Sequence, residues 1–343
     1  MMPTSTLIRR IPSATAIAGL ACAAALAVTA CSSGGSSSAA SSAGGSSSPS
    51  SASGTASLRI GYNPNPTNLT ILVAQQEGFF AKNGLKVTLT PLQNASAEVP
   101  ALGKQFDLLT TTPVDVLHAA AVGLKPLVVE GQTQETPAQQ LSGLMVGSGI
   151  TSVADLKGKT IAVPGLAGAL YGSLIVTLHN VGLSSTDAKI VQVPFANMFD
   201  ELKAGQVNAA LSIVPYTGQM KAAGFKQIAD PILTTTGNQA TPSNMWTANS
   251  SWAAANSATI AKFRTAQDQA LAWIKDNDAA ARQILVTSLH LPAAVAKIYP
   301  ITAYFYFPVT GQSLTNWIKP LETVGLLQQG SVTSADDLVL NGA

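Results

Sequence analysis

The order of strand-like and helix-like segments after residue 57 is the feature that most constrains the fold. Short apolar runs such as Leu58–Tyr62, Leu85–Leu92 and Phe106–Leu109 alternate with helical stretches such as Leu69–Phe80 and Ala95–Lys104, and the alternation restarts at Leu141. Strands that alternate with helices form a mostly parallel sheet that is covered on both faces. The stretch from residue 58 to 343 is also about twice the usual length of one domain. The sequence therefore predicts an α/β protein with two lobes, each with its own core.

We expect the chain to cross between the lobes near residues 135–141 and 240–246. The first lobe then comprises residues 58–140 plus 244–343, and the second lobe comprises residues 141–243. After the second crossing the chain reads as long helices, including Ala258–Lys275 and Leu314–Val324. The predicted architecture is two α/β lobes with a central cleft and a hinge, followed by C-terminal helices.

Residues 1–30 have the pattern of a secretory signal peptide. Arg9 and Arg10 give a positive start, residues 11–30 are almost wholly small and apolar, and the run ends directly before Cys31. Such a charged start, apolar stretch and small residues at the cleavage site are typical of a secretory signal. A transmembrane helix is the alternative, because about 20 residues can span a bilayer. The Ala-rich composition favours the signal peptide.

A cysteine directly after the small residues resembles the lipobox of bacterial lipoproteins, which implies that Cys31 is lipidated and becomes the mature N-terminus. Residues 32–57 contain only Ser, Gly, Ala, one Thr and one Pro, which is too little apolar surface to fold. A flexible linker of this length reaches roughly 28 Å. We therefore expect residues 31–57 to tether an extracytoplasmic domain to the cell membrane.

The composition excludes several classes of function. Without residues 1–30 the chain loses Arg9 and Arg10 and no acidic residue, so it keeps 17 basic and 17 acidic side chains. This balance argues against a nucleic-acid partner, which needs a concentrated basic face. Cys22 lies in the predicted signal, so Cys31 is the one cysteine of the mature chain. Disulfides, thiolate nucleophiles and cysteine metal sites are therefore not expected.

Neither a metal nor a cofactor is expected. His118, His179 and His290 are widely separated, without the H-E-x-x-H spacing of a zinc site. The segment from Gly165 to Gly168 lacks the pattern of a phosphate-binding loop.

Ligands of open α/β sheets bind beyond the carboxyl ends of the strands, where loops lead into helices. Two of these loops, Thr110–Thr112 and Gly165–Ala169, precede predicted helices whose free N–H groups favour a polar or anionic group. Thr112 is the expected N-cap of the first of these helices, with Pro113 at its first position. Turn chemistry, helix capping and lobe packing are the alternatives for any single residue. The candidate ligand-binding residues are Asn63, Asn65, Asn68, Thr110, Thr111, Thr112, Gly165, Ala167, Gly168, Tyr171, Tyr216 and Trp246.

Four segments and the chain ending resemble the solute-binding lipoproteins of ABC importers for nitrate, sulfonates, taurine and thiamine-pyrimidine precursors. The segments are LRIGY at 58–62, VAQQEGFFAKNGL at 73–85, DLKGKTIAVPG at 155–165 and LKAGQVNAA at 202–210. This resemblance implies a type II periplasmic-binding-protein fold that holds its ligand between the lobes. It also implies an ABC permease as partner and hinge closure on the solute. In this family a Glu-Pro pair is common where Val214 and Pro215 stand.

The leading hypothesis is a monomeric, membrane-tethered receptor that delivers a small solute to a permease. Arg59, Arg264 and Arg282 are the only arginines of the mature chain. Because strong capture of an oxyanion uses arginine, their scarcity favours a polar or aromatic organic solute. One alternative is an enzyme on the same fold, such as a pyrimidine synthase or desulfinase. A sensory lipoprotein that binds without transport is the other.

Overall fold

The computed structural model describes residues 54–302, 305 and 308–342. Cys31, the predicted signal peptide and the predicted tether up to residue 53 lie outside the described residues. The tether was expected to end at residue 57, but the first strand begins at Ala56. Ala56 and Ser57 already pair with Leu85 and Lys86 of the neighbouring strand. No helix within the described part of the chain is long and apolar enough to cross a membrane.

The described strands form two five-stranded sheets. In chain order they are β1 Ala56–Tyr62, β2 Leu85–Pro91, β3 Leu108–Thr111, β4 Pro126–Glu135, β5 Ser142–Val146, β6 Thr160–Val163, β7 Lys189–Gln192, β8 Ala209–Ile213, β9 Lys226–Ala229 and β10 Thr241–Asn249. The first sheet has the order β2-β1-β3-β10-β4 and the second has the order β7-β6-β8-β5-β9. The two orders are equivalent, so the second half of the alternation repeats the first.

One strand in each sheet runs against the others. β10 is antiparallel to β3 and β4, and β5 is antiparallel to β8 and β9. Each reversed strand is the first one to follow a strand of the other sheet. The chain changes sheets between Glu135 and Ser142 and again between Ala229 and Thr241. A strand that enters its sheet at the carboxyl edge of the parallel strands must run in the opposite direction, which explains both reversals.

The helices surround the two sheets. In chain order they are α1 Leu69–Gln76, α2 Phe79–Lys82, α3 Pro113–Ala121, α4 Gly168–His179, α5 Phe195–Lys203, α6 Tyr216–Ala222, α7 Pro231–Thr235, α8 Ser250–Ala255, α9 Ser257–Asp276, α10 Asp278–Leu289, α11 Ala293–Ile298 and α12 Gly311–Thr323. Short 3-10 helices cover Pro66–Asn68, Ala95–Ala101, Val153–Leu156 and Asp336–Leu338.

Two predicted helices differ from the structure. The single helix expected over Leu69–Phe80 is divided into α1 and α2, because Gly78 takes a left-handed conformation with φ of 71°. The helix expected over Ala95–Lys104 is a 3-10 helix that ends at Ala101. Pro100 has no N–H to donate to a longer α-helix, and Gly103 with φ of 75° turns the chain.

Each sheet has an apolar core of its own. In the first, Leu58, Ile60 and Trp246 are buried against the helical residue Phe263. In the second, residues such as Leu144, Ile161, Leu174 and Leu211 are buried together. Helix α4 also packs against α3 and α12, where Gly172 lies beside Val114 and Leu321. This packing brings the start of α4 next to loops of the first sheet.

Candidate ligand-binding site

A cavity of about 310 Å³ lies where the carboxyl-end loops of both sheets meet. The first sheet contributes residues that follow β1, β2 and β3 and the start of β10, and the second contributes residues that follow β6, β7 and β8. Its lining comprises Asn63, Pro64, Asn65, Gln93, Asn94, Ser96, Thr112, Leu141, Pro164, Gly165, Ala167, Gly168, Ala169, Leu170, Gln192, Pro194, Phe195, Ala196, Ile213, Tyr216, Ile232, Ser243, Asn244 and Leu289. This is the geometry that carboxyl-end loops give in open α/β sheets.

The structure brings seven of the twelve candidate residues together at this cavity. They are Asn63, Asn65, Thr112, Gly165, Ala167, Gly168 and Tyr216. The other five, Asn68, Thr110, Thr111, Tyr171 and Trp246, do not line it.

Thr110 and Thr111 were expected in a loop, because the third strand was predicted to end at Leu109. They instead belong to β3 and pair with Trp246 and Met245 of β10. Their hydroxyls are engaged inside the protein: Thr110 Oγ1 donates to Gln132 Oε1, and Thr111 Oγ1 lies 2.6 Å from Thr247 Oγ1. Strand pairing therefore keeps both threonines away from the cavity.

Asn68 stabilises the loop after β1 through hydrogen bonds of its side chain. Its side-chain amide donates to the carbonyl of Asn63, and its Oδ1 accepts a 2.7 Å hydrogen bond from Gln132 Nε2. Gln132 Nε2 also donates to the Thr67 carbonyl. Since Gln132 is 2% exposed, this network fixes the loop that carries Asn63 and Asn65 into the cavity.

Trp246 and Tyr171 pack into the two cores. Trp246 is 1% exposed and contacts Phe263 edge to face at 5.6 Å. Along a strand successive side chains point to opposite faces, so Trp246 belongs to a different apolar cluster from its neighbour Met245. Tyr171 is half-buried against the second core.

The N-terminus of α3 presents a hydrogen-bonded cluster to the cavity. The prediction that Thr112 caps this helix, with Pro113 at its first position, is confirmed. Asp115 Oδ2 accepts hydrogen bonds from Thr112 N, Thr112 Oγ1 and Ser96 Oγ at 2.8 to 2.9 Å. Burial raises the pKa of Asp115, and these hydrogen bonds and the nearby His118 oppose the rise. The cluster holds Ser96, in the 3-10 helix that follows β2, through a hydrogen bond to Asp115.

Two glycines that follow β6 allow the backbone of this segment to come close to the Asp115 cluster. Gly168 has φ of 78°, and a Cβ at that position would stand 2.8 Å from Ser96 Oγ and 3.6 Å from Thr112 Oγ1. A Cβ on Gly165 would stand 3.2 Å from Asn94 Nδ2. A side chain at position 168 has neither the space nor the backbone conformation that it needs.

Two aromatic rings from the second half of the molecule also line the cavity. Phe195, at the start of α5, and Tyr216, at the start of α6, stack with centroids 5.9 Å apart and an interplanar angle of 8°. Burial raises the pKa of the Tyr216 hydroxyl to about 12, so the ring is neutral at physiological pH. The pair offers an apolar surface with one polar tip.

The carboxyl groups of Glu135 and Asp230 are buried at the two segments where the chain passes between the sheets. Glu135 Oε1 accepts hydrogen bonds from the backbone N–H groups of Leu141 and Ser142, and Ser142 Oγ lies 3.4 Å from Asp230 Oδ1. Burial, followed by the charge of Asp230, raises the pKa of Glu135 well above its ordinary value. A protonated Glu135 can donate to Asp230, whose buried Oδ2 has no other partner. Leu141 connects this cluster to the cavity lining.

Residues that follow β2 and β7, the equivalent edge strands of the two sheets, were not among the candidates. Gln93, Asn94 and Ser96 follow β2, and Gln192 and Phe195 follow or end β7. The rule that ligands bind beyond strand carboxyl ends applies equally to these strands, so the signal was present. Ser96 was instead assigned to the helix expected over Ala95–Lys104, and Gln192 was assigned to a strand.

The cavity lining contains Asn, Gln, Ser, Thr, Tyr and apolar residues and no charged, His or Cys side chain. Among residues 54–302, 305 and 308–342, no three His, Cys, Asp or Glu side chains are grouped so that they could hold a metal ion. The lining therefore offers neutral hydrogen-bonding groups and aromatic surface.

Solved structures of periplasmic binding proteins share this fold. The alkanesulfonate-binding protein SsuA from Xanthomonas axonopodis pv. citri, bound to MOPS, matches with a TM-score of 0.68 at 22% identity, over 84% of this chain and 99% of that one. The periplasmic nitrate-binding protein NrtA from Synechocystis matches with a TM-score of 0.64 at 14% identity, over 80% of this chain and 83% of that one. The predicted α/β type II periplasmic-binding-protein fold is confirmed.

Curated relatives match over a shorter stretch. A Haemophilus influenzae protein named for thiamine biosynthesis is 34% identical over 156 residues, which is 45% of this chain and 48% of that protein. The 4-amino-5-hydroxymethyl-2-methylpyrimidine phosphate synthase of Uromyces fabae is 29% identical over 159 residues, 46% of this chain and 45% of the enzyme. The chain therefore spans about half the length of the curated relatives that it matches.

A family model described as NMT1/THI5-like matches residues 65–281. The match includes most of both sheets and nearly all of the cavity lining, from Asn65 to Asn244. The chain belongs to the NMT1/THI5-like family.

Proposed function

We propose that this protein is the extracytoplasmic solute-binding lipoprotein of an ABC importer and captures a small polar or aromatic organic solute. The observation that carries this proposal is the cavity that both sheets line through their carboxyl-end loops. Its volume of about 310 Å³ is at the lower end of the range for small-molecule sites. A solute there contacts both halves of the molecule at once, which is what a receptor that closes on its ligand requires.

The lining favours a neutral solute with a flat part. The stacked rings of Phe195 and Tyr216 offer an apolar surface, and the amides of residues such as Asn63 and Asn244 offer directional hydrogen bonds. No arginine lines the cavity, although bidentate arginine contacts are the common means of holding an oxyanion. The sulfonate and nitrate named for the two solved relatives are thus less suitable solutes for this chain.

The proposal includes two lobes. Residues 58–140 plus 244–343 form the first lobe, and residues 141–243 form the second. The lobes would hinge at the two passages between the sheets, next to Glu135 and Asp230, and close over the solute. Lipid on Cys31 and the tether between Cys31 and the start of β1 would keep the closed receptor near its permease, as a monomer on the outer face of the cell membrane.

A binding screen on the purified domain, residues 54–343, tests the function. Sulfonates, pyrimidines and small neutral amides are compared by thermal shift and then by calorimetry. A ligand at 100 times its Kd stabilises the folded state by about 2.7 kcal/mol, which a thermal shift detects. We expect a neutral compound to bind in a 1:1 ratio, and the absence of any binding from all three classes would refute the proposal.

The synthase among the relatives makes an enzyme the alternative. Incubation of the protein with the compound that binds, followed by mass spectrometry, separates the two functions. A receptor returns the compound unchanged, whereas an enzyme converts it. A sensory lipoprotein would bind equally well, and deletion of the permease gene would leave its cellular effect intact.

A further inference from the structure

Two hydroxyl groups at the first-sheet side of the cavity, those of Ser96 and Thr112, donate their protons within the protein. Ser96 Oγ donates to Asp115 Oδ2 at 2.9 Å, and Thr112 Oγ1 donates to the same oxygen at 2.8 Å. A hydroxyl has one proton and two lone pairs. Both Ser96 and Thr112 line the cavity, so each can offer a solute only lone pairs.

The side-chain NH₂ groups of two cavity-lining asparagines also donate to acceptors within the protein. Asn63 Nδ2 lies 3.3 Å from the Leu92 carbonyl and 3.4 Å from the Gln93 carbonyl, both of which can only accept. Asn244 Nδ2 lies 3.2 Å from Thr67 Oγ1 and 3.3 Å from Thr133 Oγ1. The carbonyl oxygens of both asparagines remain for a solute.

The direction of the Asn244 contact follows from its neighbours. Thr67 Oγ1 donates its proton to Asn65 Oδ1, so it can only accept from Asn244. Asn65 differs from these two asparagines, because its oxygen accepts from Thr67 N and Thr67 Oγ1 and its NH₂ group is the part that can donate to a solute. The side chains of Ser96, Thr112, Asn63 and Asn244 therefore present acceptors to the cavity, whereas Asn65, Asn94 and the first backbone N–H groups of α4 are the donors nearby.

We infer that Asp115 is a positioning residue that makes this side of the cavity a hydrogen-bond acceptor, and that the solute presents amino, amide N–H or hydroxyl groups to Ser96 and Thr112. The inference rests on the proposed solute-binding function and adds the chemistry of one end of the solute. A carboxylate or sulfonate placed there would meet lone pairs without a proton between them. Leaving such groups buried and unpaired is what makes a site reject the wrong ligand.

The protonation state of Asp115 does not alter this geometry. Oδ2 accepts three hydrogen bonds, two of them from the hydroxyls and one from Thr112 N. A proton taken up by the carboxyl group would therefore sit on Oδ1, which leaves Oδ2 an acceptor. Ser96 and Thr112 donate towards Asp115 in both states.

Three probes of nearly equal shape test the inference. Benzamidine presents only donors at its polar end, benzamide presents one donor group and one acceptor, and benzoate presents only acceptors. Binding to the purified domain is measured by ligand-observed NMR and calorimetry at up to 10 mM. We expect benzamidine and benzamide to bind at least tenfold more tightly than benzoate.

Substitutions then assign the preference to Asp115. Asp115→Ala frees both hydroxyls to rotate and donate, so the benzamide-to-benzoate affinity ratio should fall to within about threefold. Asp155→Ala is the matched control, because Asp155 holds the same position in the exposed capping box at Ser152. It removes a similar cap and should leave the ratio unchanged. Ser96→Ala, which leaves the cap of α3 in place, should reduce the ratio several-fold and decides the matter if Asp115→Ala fails to fold.

Three results would overturn the inference: benzoate binds as tightly as benzamide, the ratio is unchanged in both cavity variants, or neither donor-bearing probe binds at 10 mM. These outcomes are distinct from failure of the proposed function. An anionic solute found in the screen would leave the receptor function standing and refute only the acceptor surface. A screen in which nothing binds would refute the function itself.

Discussion

Gly168 lies directly against Ser96, so that a Cβ at position 168 would stand 2.8 Å from Ser96 Oγ. The two residues belong to different halves of the molecule, since Ser96 follows β2 and Gly168 begins α4 after β6. The missing side chain is thus the reason that the loops of the two sheets can meet over the cavity. The contact also places the start of α4 beside the Asp115 cluster.

Gly168→Ala should weaken solute binding by tenfold or more, because the added methyl group pushes the two loops apart. Gly182→Ala is a close control: Gly182 also has φ of 78°, and a Cβ there would meet no atom within 4 Å. Both variants should lose a similar amount of stability, about 1–2 kcal/mol, from the left-handed backbone. Calorimetry with a solute from the screen should show lost affinity only for Gly168→Ala, and equal affinities would contradict the closure contact.

Substitution of Tyr216 should lower the affinity for the solute, whereas substitution of Trp246 should lower the stability of the protein. Tyr216→Ala removes half of the aromatic pair that lines the cavity, so affinity for an aromatic solute should fall about tenfold. Trp246→Phe leaves the cavity intact but loses packing against Phe263, so it should reduce stability by part of the about 3–5 kcal/mol expected for full truncation. Urea unfolding and calorimetry measure the two effects. An affinity loss confined to Trp246→Phe would place the solute elsewhere.

Local signals in the sequence were sufficient for the alternation and for several element ends. Thr112 and Pro113 fix the start of α3 because capping depends only on neighbouring residues. The break at Gly78 was missed, since nothing in the apolar pattern shows that this glycine takes a positive φ. Thr111 and Trp246 were expected in the cleft but do not line the cavity, because the pairing of β3 with β10 decides how far β3 extends and which face of β10 each side chain occupies.

The stability of the protein should depend on pH through Glu135. Its pKa is raised in the folded state, so the folded protein holds a proton that the unfolded chain releases. This contribution is complete below the ordinary pKa of 4.5 and is lost as pH rises towards the folded-state value. One such proton gives a slope of about 1.4 kcal/mol per pH unit.

Glu135→Gln should therefore flatten the decline in the free energy of unfolding between pH 5 and pH 8. Burial also raises the pKa of Glu130 to about 8, so Glu130→Gln should flatten the profile through a second, independent site. Urea unfolding across this pH range measures both. A Glu135→Gln profile as steep as that of the wild type would show that the carboxyl pair between the sheets does not hold the proton.

Cys31→Ser should release the protein from the membrane or stop its processing. The positive start at Arg9 and Arg10, the apolar run and the Ser/Gly-rich segment after the cysteine all predict lipid at this position. Cys22→Ser is the matched control, because it removes the other cysteine of the chain from within the predicted signal and should leave anchoring unchanged. Expression of the full chain in a bacterial host, with membrane fractionation and labelling by a radioactive fatty acid, measures both variants. Label and membrane association that persist in Cys31→Ser would mean that the chain is held by another means, such as an uncleaved apolar helix.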